Sequence, residues 1–99
     1  MVVLACILAG CTWVQPDPGA DQVRIMQAHQ VSGCDRLAST TVSVRDRVAA
    51  VQRSPGKVEE ELETLARNSA IDINGDTIVP DGPAQDGRRR YIIYYCGEG

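Results

Sequence analysis

The chain has 99 residues, with 13 acidic and 10 basic side chains and a formal net charge of -3. Its 43% apolar and 23% charged content is that of an ordinary globular chain, and its length allows one domain. The negative balance argues against general nucleic-acid binding, which needs a basic footprint. No apolar run approaches the roughly 20 residues that span a bilayer.

Residues 2–9 are apolar and lead into Gly10 and Cys11. A short apolar stretch ending in small residues is the pattern of an export signal and its cleavage site, not of a core element. Leu8-Ala9-Gly10-Cys11 resembles the lipobox of bacterial lipoproteins. That resemblance implies cleavage before Cys11, a thioether-linked diacylglycerol on its sulfur and an N-acyl chain. Several acyl chains exceed the two signals that stable anchoring needs, at about 0.8 kcal/mol per buried CH₂. No basic residue precedes Cys11, so the basic n-region of a full signal is expected upstream of Met1. The rival reading is a buried N-terminal strand in a cytosolic protein.

The four cysteines are Cys6, Cys11, Cys34 and Cys96. If Cys6 leaves with the signal and Cys11 carries lipid, Cys34 and Cys96 remain. In an oxidising compartment the leftover pair is expected as a disulfide. Closing so long a loop adds about 4 kcal/mol in the chain-entropy model, which matters in a domain with a small core. Metal ligation by the two thiols with His29 is the rival, but the paired spacing of a zinc site is absent. A nucleophile pair of Cys34 or Cys96 with His29 has no visible orienting group. His29 reads as a surface or strand-end residue.

Residues 11–22 hold two prolines and a glycine and read as an extended tether, with residues 23–99 as the domain. Trp13 suits either the bilayer interface or packing on the domain. Val23-Arg24-Ile25-Met26 is a strand candidate, with Val23 and Ile25 on one face. Thr40-Thr41-Val42-Ser43-Val44 is β-branched and alternating, the pattern of a strand. Arg45–Val51 fits a short helical turn or a loop. Ser54 as N-cap and Pro55 as first residue open a helix. Val58, Leu62, Leu65, Ala66 and Ile73 form its apolar stripe. Glu63 and Arg67 can pair at i, i+4, and Asn74-Gly75 ends the helix. Thr77–Val79 is a short strand that Pro80-Asp81-Gly82-Pro83 stops. Tyr91–Cys96 is the last strand. The order is β-β-α-β-β, a small α+β domain with one amphipathic helix on an antiparallel or mixed sheet.

Asp72, Asn74 and Asp76 fall at the first, third and fifth positions of a calcium loop. The Gly and Glu needed later in such a loop are replaced by Thr77 and Pro83. Glu59, Glu60, Glu61 and Glu63 cluster on the helix and read as a solvated face. Arg88-Arg89-Arg90 is the one basic run, a solvated turn or a patch for anionic lipid head groups or a carboxylated polymer. No phosphate loop, nucleophile elbow or metalloprotease motif occurs.

Together these residues resemble an uncharacterised family of small proteobacterial lipoproteins, domain of unknown function 4156. The likeness runs through Leu8–Val14, Cys34 before the Val42-Ser43-Val44 strand, Glu61-Leu62, Leu65-Ala66-Arg67-Asn68, Asp76-Thr77 and Tyr94-Tyr95-Cys96. The family's Gly-Ala-Asp-Thr after the helix is Asn74-Gly75-Asp76-Thr77 here. In layout the group is distantly similar to the outer-membrane stress-sensing lipoprotein of the Rcs pathway, so a sensing role is analogy. In lipoproteins of this kind Thr12, rather than Asp, after the lipidated cysteine implies the outer membrane. The resulting expectation is a non-enzymatic, periplasm-facing module without cofactor, anchored by lipid, with an envelope protein partner. The alternative is a ligand- or metal-binding envelope protein using His29, Asp72, Asp76 or the arginine run.

Overall fold

A computed structural model describes residues 14–45, 47–48, 51–52 and 54–97. The expected signal and the expected roles of Cys11, Thr12 and Trp13 lie outside them. Among the described residues the strands are β1 (Arg24–Ile25), β2 (Asp35–Ser43), β3 (Arg47–Val48), β4 (Val51–Gln52), β5 (Thr77–Gln85) and β6 (Arg88–Tyr95), with one α-helix, α1 (Pro55–Asp72). β1, β5, β6 and β2 form one sheet in that order. β1 runs parallel to β5, whereas β6 is antiparallel to both β5 and β2. The expected α+β architecture, one helix on a mixed sheet, is therefore the one observed.

The helix forms for local reasons. The Ser54 hydroxyl accepts from the Lys57 amide at 3.3 Å, and Pro55 stands where no amide partner is needed. Val58, Leu62, Ala66 and Ala70, spaced by four, bury one stripe. They pack on Val42, Ile78, Tyr91 and Ile93 of the sheet. Leu62, fully buried, contributes roughly 2–3 kcal/mol of hydrophobic stabilisation. The Glu63–Arg67 pair is present at 3.6 Å. The helix stops in a Schellman turn. Gly75 donates to the Ala70 carbonyl at 2.8 Å and Asn74 to Ile71 at 3.2 Å, with Asn74 left-handed at φ 64. Ile73, expected in the stripe, caps the helix instead and is exposed, while Ala70 takes the inner position.

Several local expectations are corrected. β1 is only Arg24–Ile25; Val23 precedes it and is buried, whereas Ile25 is 39% exposed. The Val23 carbonyl accepts from Arg67, which ties the segment to the helix. Within the stretch expected as a helical turn or a loop, the described residues Arg47–Val48 and Val51–Gln52 are instead strands, paired antiparallel. β5 does not stop at Pro80. The Ile78 carbonyl faces β1, accepting from Met26 at 3.0 Å, so Pro80, two residues on, faces the same side beyond the end of β1. A proline lacking its amide loses no ladder bond there. The irregular register between Asp81 and Gln85 then carries the strand past Gly82 and Pro83. β6 starts at Arg88, not Tyr91, because Asp86-Gly87 make a two-residue turn. Both have positive φ, 53 and 73, as a type I′ hairpin requires.

Residues 14–22, the described part of the expected tether, lie on the domain. Asn68 holds them, accepting from the Asp17 amide at 2.8 Å and donating to the Gln15 carbonyl at 2.9 Å. Ala20 is buried. This docking corrects the reading of the helix carboxylates as one solvated face. Glu61 is only 8% exposed, because Val14 and Pro16 line a groove with it, Lys57, Glu60 and Thr64.

Candidate functional site

The sheet end at the helix C-terminus carries the densest set of constraints. Cys34 and Cys96 flank the Asp35–Tyr95 register pair, so the antiparallel ladder brings them together. They form the expected disulfide, with Cα atoms 4.4 Å apart and a sequence separation of 62.

Asp76 locks the chain beside that bridge. Its Oδ1 accepts from the Cys96 amide at 2.8 Å and the Thr77 hydroxyl at 3.0 Å, and Oδ2 accepts from the Gly97 amide at 2.8 Å. Arg24 adds an ion pair at 3.8 Å and donates to the Gly97 carbonyl at 3.0 Å. Burial pushes the Asp76 carboxyl pKa up, but the Cys96 and Gly97 amides, Thr77 and the Arg24 charge outweigh it. The net position is below the ordinary value of 3.8. Gly75 is equally constrained: a Cβ would overlap Ile93 Cγ2 and stand 3.3 Å from the Tyr94 carbonyl oxygen. Only glycine lets the helix exit lie this close to β6.

An open groove of about 410 Å³ runs over this end, between Gly19, Gln22 and Val23 on one side and Tyr95 and Gly97 on the other. Ile71, Gly75, Arg24 and Asp76 line it as well. Tyr95, 50% exposed, offers an aromatic surface beside it. Such a surface, with an apolar body and a polar tip, suits contact with another protein.

The other expected site residues are dispersed. His29 is exposed in the 3-10 turn Ala28–Gln30. Asp72 ends the helix and is exposed. Both oxygens of Asp76 are already occupied by the chain's own donors, so the calcium-loop reading loses its central ligand. Among the described residues no group of three or more His, Cys, Asp or Glu could hold a metal ion. The arginine run lies in β6, and strand alternation divides it. Arg89 faces the helix side, donating to the Gly82 carbonyl at 2.8 Å and lying over the Tyr91 ring at 5.7 Å. Arg88 and Arg90 face the open side, where Arg90 pairs with Asp81 at 3.3 Å. Sequence reasoning missed the clasping role of Asp76. The available signal was its place just after a helix stop and opposite a strand ending in cysteine.

These features define a small α+β domain whose one end is closed by a disulfide and a carboxylate clasp. The chain belongs to the family described as domain of unknown function (DUF4156), whose model matches residues 14–96. No curated protein and no solved structure matches it in the corresponding comparisons.

Proposed function

We propose that this is a lipid-anchored domain of the bacterial outer membrane, facing the periplasm and holding an envelope protein rather than turning over a substrate. The observation that carries the reading is the Cys34–Cys96 bridge. Disulfides persist in oxidising compartments, and this pairing leaves Cys11, in Leu8-Ala9-Gly10-Cys11, for the lipid. The signal is residues 1–10, and in the mature protein only residues 11–13 separate the lipid from the domain. The groove beside the bridge supports an interaction role. Its carboxylate and arginine are satisfied by backbone groups and by each other, so they stiffen a recognition surface. A stress-sensing use of that surface fits the same layout. The test is Cys11→Ala in a Gram-negative host. The wild-type protein is expected in the membrane fraction and the variant in the soluble periplasmic fraction. Equal distribution of the two would overturn the anchor. Cross-linking at Tyr95 is expected to recover one discrete envelope protein, and recovery of none above background would overturn the interaction role.

A further inference from the structure

We propose that β2 is a self-pairing edge: a second copy of this chain adds its own β2 antiparallel, about a two-fold axis at Thr41, and joins the two sheets into one. The proposal does not depend on the lipid anchor.

The first observation is that the two edges of the sheet differ. In the order β1, β5, β6, β2 the outer strands are β1 and β2. β1 has two residues, too few to template another strand. β2 has nine, and among the described residues no strand pairs with its outer side. Natural edge strands are guarded by charges, prolines or bulges. Ala38-Ser39-Thr40-Thr41-Val42-Ser43 contains no charge and no proline. The irregularity of β2 lies before this run, between Arg36 and Ala38, where Leu37 is 42% exposed.

The second observation is which backbone groups face outward. The Val44 amide donates to the Gly87 carbonyl at 2.8 Å, so Val44 faces β6. Alternation along the regular register turns Val42 and Thr40 the same way, and turns Ser39, Thr41 and Ser43 outward. All three are exposed. They pair with Ile92, Arg90 and Arg88 of β6, so their hydroxyls form one row on the open face.

The third is self-complementarity. A two-fold axis at Thr41 sets Thr41 opposite Thr41 of the second copy, and Ser39 opposite its Ser43. Every outward residue of one copy then meets an outward residue of the other, and each such pair exchanges two main-chain hydrogen bonds. Hydroxyl meets hydroxyl along the row, a favourable cross-strand pairing. Asp35 and Arg36 fall beyond the end of the second copy's strand, whereas a parallel copy would set each against itself. Arg90 and its equivalent stand three strand spacings apart, about 14 Å, beyond the Debye length of about 8 Å. The contact is isologous and closes at two copies.

The experiment expresses the full chain behind a full export signal in a Gram-negative host, introduces single cysteines and treats cells with the shortest bismaleimide. The wild type, treated alike, sets the background from the native cysteines. Thr41→Cys is expected to give a covalent dimer joined through residue 41 of both copies, whose Cβ atoms lie roughly 5 Å apart. Ser39→Cys alone is expected to stay at background, because it and its equivalent are offset by about 13 Å along the strands. Ser39→Cys with Ser43→Cys is expected to restore the dimer. Adding Thr41→Pro to that pair is expected to abolish it and leave thermal melting unchanged, since the outward amide makes no bond within one copy. Thr41→Lys, which opposes like charges across the axis, is expected to do the same and decides the matter if the proline variant does not fold. No dimer through residue 41, equal dimer from Ser39→Cys alone, or a dimer that survives in folded Thr41→Lys would overturn the proposal. A cross-link from residue 41 to a different protein would assign the edge to that partner and overturn it as well.

Discussion

At one end of the sheet the backbone is held by a covalent bridge, a carboxylate that takes three hydrogen bonds and a glycine packed against β6. At the other end a two-residue turn, the exposed Arg90–Asp81 pair and the Arg89 hydrogen bond to the Gly82 carbonyl close the hairpin. The disulfide end is built to keep one shape, and a surface that must recognise a partner benefits from being ordered beforehand. At the hairpin end Arg88 and Arg90 are exposed on the open sheet face, with Arg90 paired to Asp81. Substitutions at the two ends should therefore differ in cost, and that difference is measurable.

The largest effect is expected from removing the bridge. Cys34→Ala with Cys96→Ala opens a loop of 62 residues, for which the chain-entropy model gives about 4 kcal/mol. Chemical denaturation should show that loss, and a cost near zero would mean that the clasp alone holds the end. Gly75→Ala comes next, at about 2 kcal/mol, since either Ile93 or the helix exit must shift; thermal melting measures it. Asp76→Asn should cost about 1–2 kcal/mol, reduced from the full value of charged hydrogen bonds because the side chain is 30% exposed. The folded pKa of Asp76 is lowered, so its contribution is fully present above the unfolded value. It is lost as pH falls below about 4 and through the folded value. The wild type should accordingly lose stability over that acid range, and Asp76→Asn should show a flatter acid limb.

The other end should respond less. Ser54→Ala removes the helix cap and should cost about 1 kcal/mol. Arg90→Ala breaks a pair in which both side chains are about half exposed, and should change stability by less than about 1 kcal/mol. A hairpin substitution as costly as Gly75→Ala would erase the contrast between the ends.

The helix was legible in the sequence because its signals are local: a serine, a proline, an apolar residue at every fourth position and Asn-Gly. The disulfide was legible through counting, once the lipobox resemblance set Cys6 and Cys11 aside. The strands were legible only where β-branched or aromatic residues alternate, as in Thr40–Val44 and Tyr91–Tyr95. β5 was read too short because a proline marks a strand end unless its missing amide faces an unpaired edge. That edge depends on where β1 ends, a tertiary fact. The start of β6 was hidden by three charged residues, although Asp86-Gly87 carried the turn signal. Glu61 looked solvated because helix periodicity cannot show that residues 14–16 fold back over it. Asp76 was weighed as a ligand because its partners, the amides of Cys96 and Gly97, are twenty residues away in sequence.

The most direct test of the account is the intact mass of the protein taken from the membrane fraction of a Gram-negative host, expressed behind a full export signal. The account expects a chain beginning at Cys11, heavier by a diacylglyceryl and an acyl group and lighter by the two hydrogens lost to the Cys34–Cys96 bridge. An uncleaved chain without lipid and with free thiols would contradict it.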